Sequence, residues 1–409
     1  MIELSEAKAF VLESIRVLEA RDVALKDAGG CVVAQDVAAV EAVPGFDNSS
    51  MDGFALRSSD TVSGSARLAI VGRVHAGDVS TIRLESGQAM RIMTGAPLPA
   101  GADCVCMVEE AEVVGDSVVI PRHIGVGDFV RRSGDDIAVG QLLFSPGEVL
   151  NPASLAVLAG QGLSTLRVHP RPRVGVLSTG NELVSGAQEL AAGQIRDLNR
   201  PLLLALLAGS GFAPVDLGTA EDGREAIAAS LARGVDGCDA VVTTGGVSVG
   251  DVDFVKLVIA ELGGDDARWM QVAIKPGKPF AFAVVGPRRV PLFGLPGNPV
   301  STRVSFELFV RPALKKLAGH RVIERFSIDA VLDGDLDKPA DAKVHLVHVN
   351  VAWGDDGRVH VVDTKRRGSH LLNAVARANA IAVVPEGSSH RRGDVVRVIV
   401  LDPDSLGAP

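Results

Sequence analysis

Apolar residues along the chain switch between helical and strand spacing, and the switches mark out four regions. Residues 1–18 set Glu3, Glu6, Lys8, Glu13 and Arg16 among apolar positions, which predicts an amphipathic helix ending near the Gly29-Gly30 stop signal. From about residue 40 to 130, short alternating runs at 68–71, 89–93, 104–108 and 118–120 are separated by glycines, as in a small β domain. Residues 138–168 mix a strand, a helix opened by Asn151-Pro152 and another strand. The expected arrangement is a discontinuous helical and linking domain, 1–39 and 138–169, with a β domain inserted at 40–137. From Pro170, apolar strands at 174–177, 214–217 and 240–243 alternate with helices at 198–208, 222–232 and 253–262. That alternation predicts a doubly wound, mostly parallel α/β domain over 170–320, with its ligand at the carboxyl ends of the strands. Beyond it Val347, Val349 and Val351 alternate, as do Val396, Val398 and Val400, around one short helix at 371–378. A barrel-like β domain over 321–409 is expected, so the fold class is multidomain α/β plus β.

Composition narrows the function classes. At 409 residues the chain exceeds what one core supports. A net charge of −9 argues against a sequence-independent nucleic-acid binder. The purest apolar run, 202–208, is too short to span a bilayer, and the uncharged stretch 149–166 is broken by Asn151, Pro152, Gly160 and Gly162. The charged first helix is no signal peptide. Cys31, Cys104, Cys106 and Cys238 are scattered, and Cys104 and Cys106 would share one face of a strand. Buried thiols in a reducing compartment are expected, hence a cytoplasmic protein without membrane or nucleic-acid partners.

The candidate chemistry lies in four loops of the α/β region. Ser178-Thr179-Gly180-Asn181-Glu182 follows a buried strand, where backbone N–H groups could meet a phosphate; an ordinary turn is the simpler reading of this loop alone. In residues 243–253, Gly245 and Gly246 let the backbone approach a ligand, and Thr244 and Ser248 add hydroxyls. Asp251 and Asp253 beside a phosphate would suit a partly hydrated Mg²⁺, although Asp253 also fits a helix cap. In Lys275-Pro276-Gly277-Lys278-Pro279 the prolines and glycine forbid a helix, so both lysines project from a stiff loop toward an oxyanion. Gly294 to Ser301 opens a helix with Asn298 as cap and Pro299 at its first position, an arrangement that attracts anions. In the inserted domain Asp52-Gly53 reads as a hairpin turn, and residues 91–97 as strand then turn. A basic region, Lys365-Arg366-Arg367 with Arg391-Arg392, is a candidate face for a second anion. No Walker lysine loop or dinucleotide GxGxxG is present, which removes P-loop ATPases and NAD dehydrogenases.

Taken together, these motifs resemble those of the molybdopterin molybdenumtransferases, the MoeA family, which includes a domain of gephyrin. The resemblance rests on residues 44–55, 91–97, 178–183, 244–253, 275–279 and 294–301, in the family's order. It implies insertion of molybdenum from molybdate into adenylyl-molybdopterin with release of AMP, aided by Mg²⁺. It further implies that Asp52, Thr94, Glu182, Asp222 and Asp253 are catalytic, with Asp222, Asp251 and Asp253 holding the metal. Asp136, Thr179, Gly245, Gly246, Ser248, Lys275, Lys278, Asn298, Ser301 and Ser369 would bind substrate, Ser369 on the molybdate side. A homodimer sharing each site between subunits is implied, with an upstream adenylyltransferase and downstream molybdoenzymes as partners. The alternatives are a molybdopterin adenylyltransferase and a non-catalytic gephyrin-like scaffold. The chain departs from the family at Asn181, where Asp is usual, at Phe54 and Phe254, where tyrosine is common, and at Val347-His348, where arginine is frequent.

Overall fold

The computed structural model describes residues 1–247, 254–339, 341–363, 372–387 and 389–406. Two compact units emerge, one of residues 1–34, 146–155 and 164–409, the other of 35–145 and 156–163.

The first unit is built on a six-stranded sheet. Its elements in chain order are β1 (Arg173–Thr179), α1 (Asn199–Gly209), β2 (Ala213–Ala220), α2 (Arg224–Gly237), β3 (Ala240–Thr244), α3 (Phe254–Gly263) and β4 (Arg268–Gln271). Then follow β5 (Ile274–Lys275), β6 (Pro279–Val285), β7 (Val290–Leu295), α4 (Pro299–Ser305) and α5 (Arg311–Leu317). The sheet order is β2-β1-β3-β7-β6-β4, parallel across the first four strands and antiparallel at β6 and β4. Both faces are buried, so the strands read as near-continuous apolar runs. Phe280, Phe282 and Val284 of β6 face one core with Leu203 and Leu207 of α1, while Ala281, Ala283 and Val285 face the other with Val255, Val258 and Ile259 of α3. Helices on both faces make the domain doubly wound.

Between α4 and α5, residues Phe306–Val310 form one π-helical turn, which turns Glu307 into the core. That carboxylate is 1% exposed and takes two hydrogen bonds from Arg325, at 2.6 and 3.1 Å, with Arg303 3.4 Å away.

The amino-terminal helix covers only Leu4–Ser14 and does not reach Gly29-Gly30. Its buried stripe of Ala7 and Val11 ends there, Ile15 turns extended, and Arg21–Ala24 pairs antiparallel with Thr165–His169.

The carboxy-terminal strands are β8 (Ser327–Leu332), β9 (Val344–Trp353), β10 (Val359–Asp363), β11 (Ala380–Val384) and β12 (Val395–Val400), with α6 (Leu372–Arg377) before β11. The ladder β8-β10-β9-β11-β12 returns to β8, closing a barrel without free edges. On it, His360 Nδ1 sits 2.8 Å from Asp333 and Nε2 3.0 Å from Asp356. Carboxylates only accept, so both ring nitrogens must donate and the imidazolium is favoured, raising its pKa. The associated stability is therefore fully present below the unfolded value near 6.5 and is lost as pH rises through the raised folded value. Thermal melts of His360→Gln should lose this decline with pH; an unchanged profile would refute the role.

In the second unit, six strands run in the order Cys104–Met107, Gly53–Leu56, Gln88–Ile92, Ala66–Val74, Ser117–Ile120 and Glu112–Val114. The sheet curls into a half-barrel. Cys104 and Cys106 share one face with Phe54, Leu68 and Ile120, while Val105 packs on the other with Met90 and Ile92. All four cysteines are buried and free. Burial pushes the Cys106 thiol up to about 11 and Cys104 higher still, so both are inert at neutral pH. Asp52-Gly53 does not turn a hairpin. Asn48–Ser49 pairs with Val130–Arg131, whereas Gly53–Leu56 enters the six-stranded sheet. No helix among the described residues is long and apolar enough to cross a membrane.

Candidate functional site

The loops leaving the parallel strands meet as the topology requires. After β1, Gly180 adopts φ +144°, and a Cβ there would lie 2.5 Å from a Glu182 carboxylate oxygen, so glycine leaves that side chain its place. After β2, Asp222 exchanges hydrogen bonds with Asn181: Asn181 N donates to Asp222 Oδ2 at 3.2 Å and Asp222 N to Asn181 Oδ1 at 3.0 Å. An amide at 181 thus latches two strand-end loops, with its oxygen as the acceptor. After β3, Gly245 has φ +93°, and a Cβ would sit 2.7 Å from Thr179 O. Gly297, after β7, lies with its Cβ position 3.6 Å from Gly245 Cα. A side chain at Gly245 would force the β3 loop off the β1 loop, while Gly297 stands in ordinary contact with Gly245.

Asn298 caps α4 as the sequence predicts, its side chain accepting from the Val300 and Ser301 N–H groups, with Pro299 next in line. A cavity of about 630 Å³ opens between the loops, lined by Thr179, Gly180, Glu182, Asp222, Gly245, Gly246, Asn298 and Ser301 among others. A smaller recess of about 130 Å³ adjoins it through Thr179, Glu182, Gly245 and Gly297, and reaches Arg196 and Asn199.

The third loop differs in form from the expected free-standing lysine loop. Lys275 belongs to β5, which pairs in parallel with the start of β9. Gly277 packs against α4, its Cβ position 3.1 Å from Ser305 Oγ and 3.7 Å from Ser301 O. The loop therefore packs along α4, and the cavity wall includes Pro279 rather than either lysine. Lys275 is exposed and Lys278 half-buried.

Two sequence assignments need correction. The Thr244 hydroxyl is no ligand donor: it donates to Pro296 O at 3.1 Å and accepts from Asn199 Nδ2 at 2.8 Å. Arg391 is no open anion face, because Asp335 and Asp337 each lie 3.0 Å from it. Ser248, Asp251, Asp253 and Ser369, with Lys365, Arg366 and Arg367, lie outside the described residues. Among the described residues no group of three or more His, Cys, Asp or Glu could hold a metal.

Asn199 is a site residue that the sequence pattern does not mark. Its buried amide also donates to Gly297 O at 2.7 Å, joining the start of α1 to the β3 and β7 loops. Ser178 donates to Asp197, which also holds Arg200. An asparagine two residues after an aspartate at a helix start was the available signal, and it reads equally well as a cap.

In the half-barrel unit, Thr94 brings both its N–H and its hydroxyl to Asp52 Oδ1, at 2.7 and 2.9 Å. These bonds hold the exposed Asp52 carboxyl below its ordinary pKa. Asp136 is exposed, and its N–H donates to Val43 O at 3.0 Å.

Comparison with known proteins extends these local findings to the full chain. The family described as MoeA N-terminal region (domain I and II) matches residues 2–162, the probable molybdopterin binding domain 175–316, and MoeA C-terminal region (domain IV) 330–401. A molybdopterin molybdenumtransferase of Haemophilus influenzae is 34% identical over 97% of this chain and 96% of its own. Molybdopterin molybdenumtransferase 2 of Mycobacterium tuberculosis is 36% identical over 94% and 96%. A crystal structure of the molybdopterin biosynthesis MoeA protein from Pyrococcus horikoshii aligns at TM-score 0.82 and 30% identity, covering 98% of this chain and 99% of that one. With three successive family matches and full-length relatives of this similarity, the chain belongs to the MoeA family.

Proposed function

We propose that the chain is a molybdopterin molybdenumtransferase, inserting molybdenum from molybdate into adenylyl-molybdopterin with release of AMP. It is a transferase of molybdenum cofactor biosynthesis. One observation carries the finer reading: strand-end loops converge on a cavity lined together by Gly245, Gly246, the capped start of α4, Glu182 and Asp222. Bare backbone and a helix start suit phosphate and oxyanion groups. Glu182 and Asp222 supply hard oxygen donors of the kind Mg²⁺ takes, with Asp251 and Asp253 as the further proposed ligands. Bound Mg²⁺ would neutralise charge on the phosphoanhydride. Lys275 and Lys278 would draw molybdate to the start of α4, and Ser369 would complete its contacts.

The working form is proposed to be a homodimer in the cytoplasm, each site taking Asp52, Thr94 and Asp136 from the second copy. The ionised, exposed Asp52 held by Thr94 supports that assignment. The full-length relatives are named molybdenumtransferases, which favours this reading over an adenylyltransferase or a scaffold. Molybdate-dependent AMP release should fall by about 100-fold or more in Asp52→Ala and in Asp253→Ala. Full activity in both variants would overturn the site.

A further inference from the structure

A cluster of ionisable side chains lies beside Lys275 and has no part in the cavity. In the β5–β9 pair, Ile274 stands opposite Val344 and Lys275 opposite His345, and Val344 N donates to Ala273 O at 2.9 Å. His345 is 7% exposed, and its Nε2 lies 2.9 and 3.1 Å from the two Asp341 oxygens. Lys338, with a side chain only 2% exposed, reaches Asp341 at 3.5 Å and donates to Lys343 O at 2.8 Å. A carboxylate only accepts, so Nε2 carries the shared proton and the ring can stay neutral. These contacts tie Lys338, Asp341 and Lys343 to His345 at the beginning of β9. A strand of two residues has little pairing of its own, and β5, anchored by the buried Ile274, has β9 as its neighbour in the sheet.

We propose that the Asp341–His345 pair is a positioning device for Lys275: it fixes the start of β9, and so the register of β5 and the direction of the lysine ammonium toward a bound oxyanion. This rests on the reading of Lys275 as an oxyanion ligand. The charged groups facing His345 are Asp341, Lys338 and Lys275. Burial is the largest influence on its pKa and lowers it, Asp341 raises it, and the two lysines lower it further. The ring is therefore neutral at pH 7. An oxyanion on Lys275 cancels part of that lysine's repulsion and makes protonation of His345 easier. By linkage, oxyanion affinity rises as pH falls toward the His345 pKa.

The test is calorimetric titration of the full-length protein with molybdate at neutral pH. A parallel series uses sulfate, whose charge stays constant from neutral to mildly acidic conditions. His345→Ala and Asp341→Asn should each weaken binding about tenfold. His345→Gln, which keeps a donor for Asp341, should retain most of the affinity and lose the strengthening on acidification. Asp341 is partly exposed, so its variant guards against misfolding of the His345→Ala protein, and thermal melts check both. If the Asp341 and His345 variants bind like the parent while Lys275→Ala does not, the positioning role is overturned and the oxyanion reading stands. If Lys275→Ala also binds like the parent, both fall.

Discussion

Replacing Gly245 by alanine is expected to abolish AMP release almost completely while leaving the protein folded. The residue sits at φ +93°, where an L side chain is strained, and its Cβ would approach Thr179 O to 2.7 Å and Thr179 Oγ1 to 2.9 Å. Strain of this kind costs roughly 1–3 kcal/mol, and the loops can relieve it only by separating. Because β3 lies between β1 and β7, separation moves Gly245 off Thr179 and toward Gly297, and displaces the backbone that would face a phosphate. A misplacement of about 1 Å at a reacting centre can cost about 100-fold in rate, so the loss should appear in turnover more than in stability. Gly218, at φ +82° with nothing within 4 Å of its Cβ position, is the control: alanine there meets strain without a clash at the site. Equal activity losses in the two variants would show that backbone strain, rather than loop approach, governs the effect.

Glu307→Ala should be the most damaging single change to stability outside the sheet. The carboxylate is buried and satisfies Arg325 through two hydrogen bonds, with Arg303 close by. Removing it leaves two guanidinium groups facing each other in a dry environment, where burial already lowers the Arg303 pKa. Breaking a buried pair from one side costs about 3–5 kcal/mol. Urea unfolding monitored at the helices should show a correspondingly lower midpoint. A shift under about 1 kcal/mol would mean that water reaches the arginines once the acid is gone.

The layers of the fold were legible because their causes are local. The apolar runs at 174–177 and 240–243 mark β1 and β3, and a capping asparagine followed by proline locates the start of α4. The strand predicted at 214–217 proved to span Ala213–Ala220 because it lies at the sheet edge, where Asp216, Gly218 and Thr219 need not be apolar. Features set by distant pairing were not legible. Asn199 meets Gly297 across 98 residues, and Arg391 meets Asp335 across 56. Nothing near Lys275 announces β5, since two residues carry no periodicity and the partner strand begins at Val344. Gly245, Gly246 and Asn298 of the cavity lining stood out by residue type; Asp222 and the polar scaffold around Asn199 did not.

The single wide turn at Phe306–Val310 acts as a spacer in angle. Each residue of an α-helix advances the chain by about 100° around its axis. Wound at ordinary α pitch with all five residues kept, this turn would rotate everything downstream by about that amount against α4. Ser301 could keep its aspect toward the cavity, or the far end of the rod could keep its seat in the core, but both could not hold at once. The wide turn thus absorbs one surplus residue and keeps a cavity-lining cap and an apolar anchor on the same continuous rod.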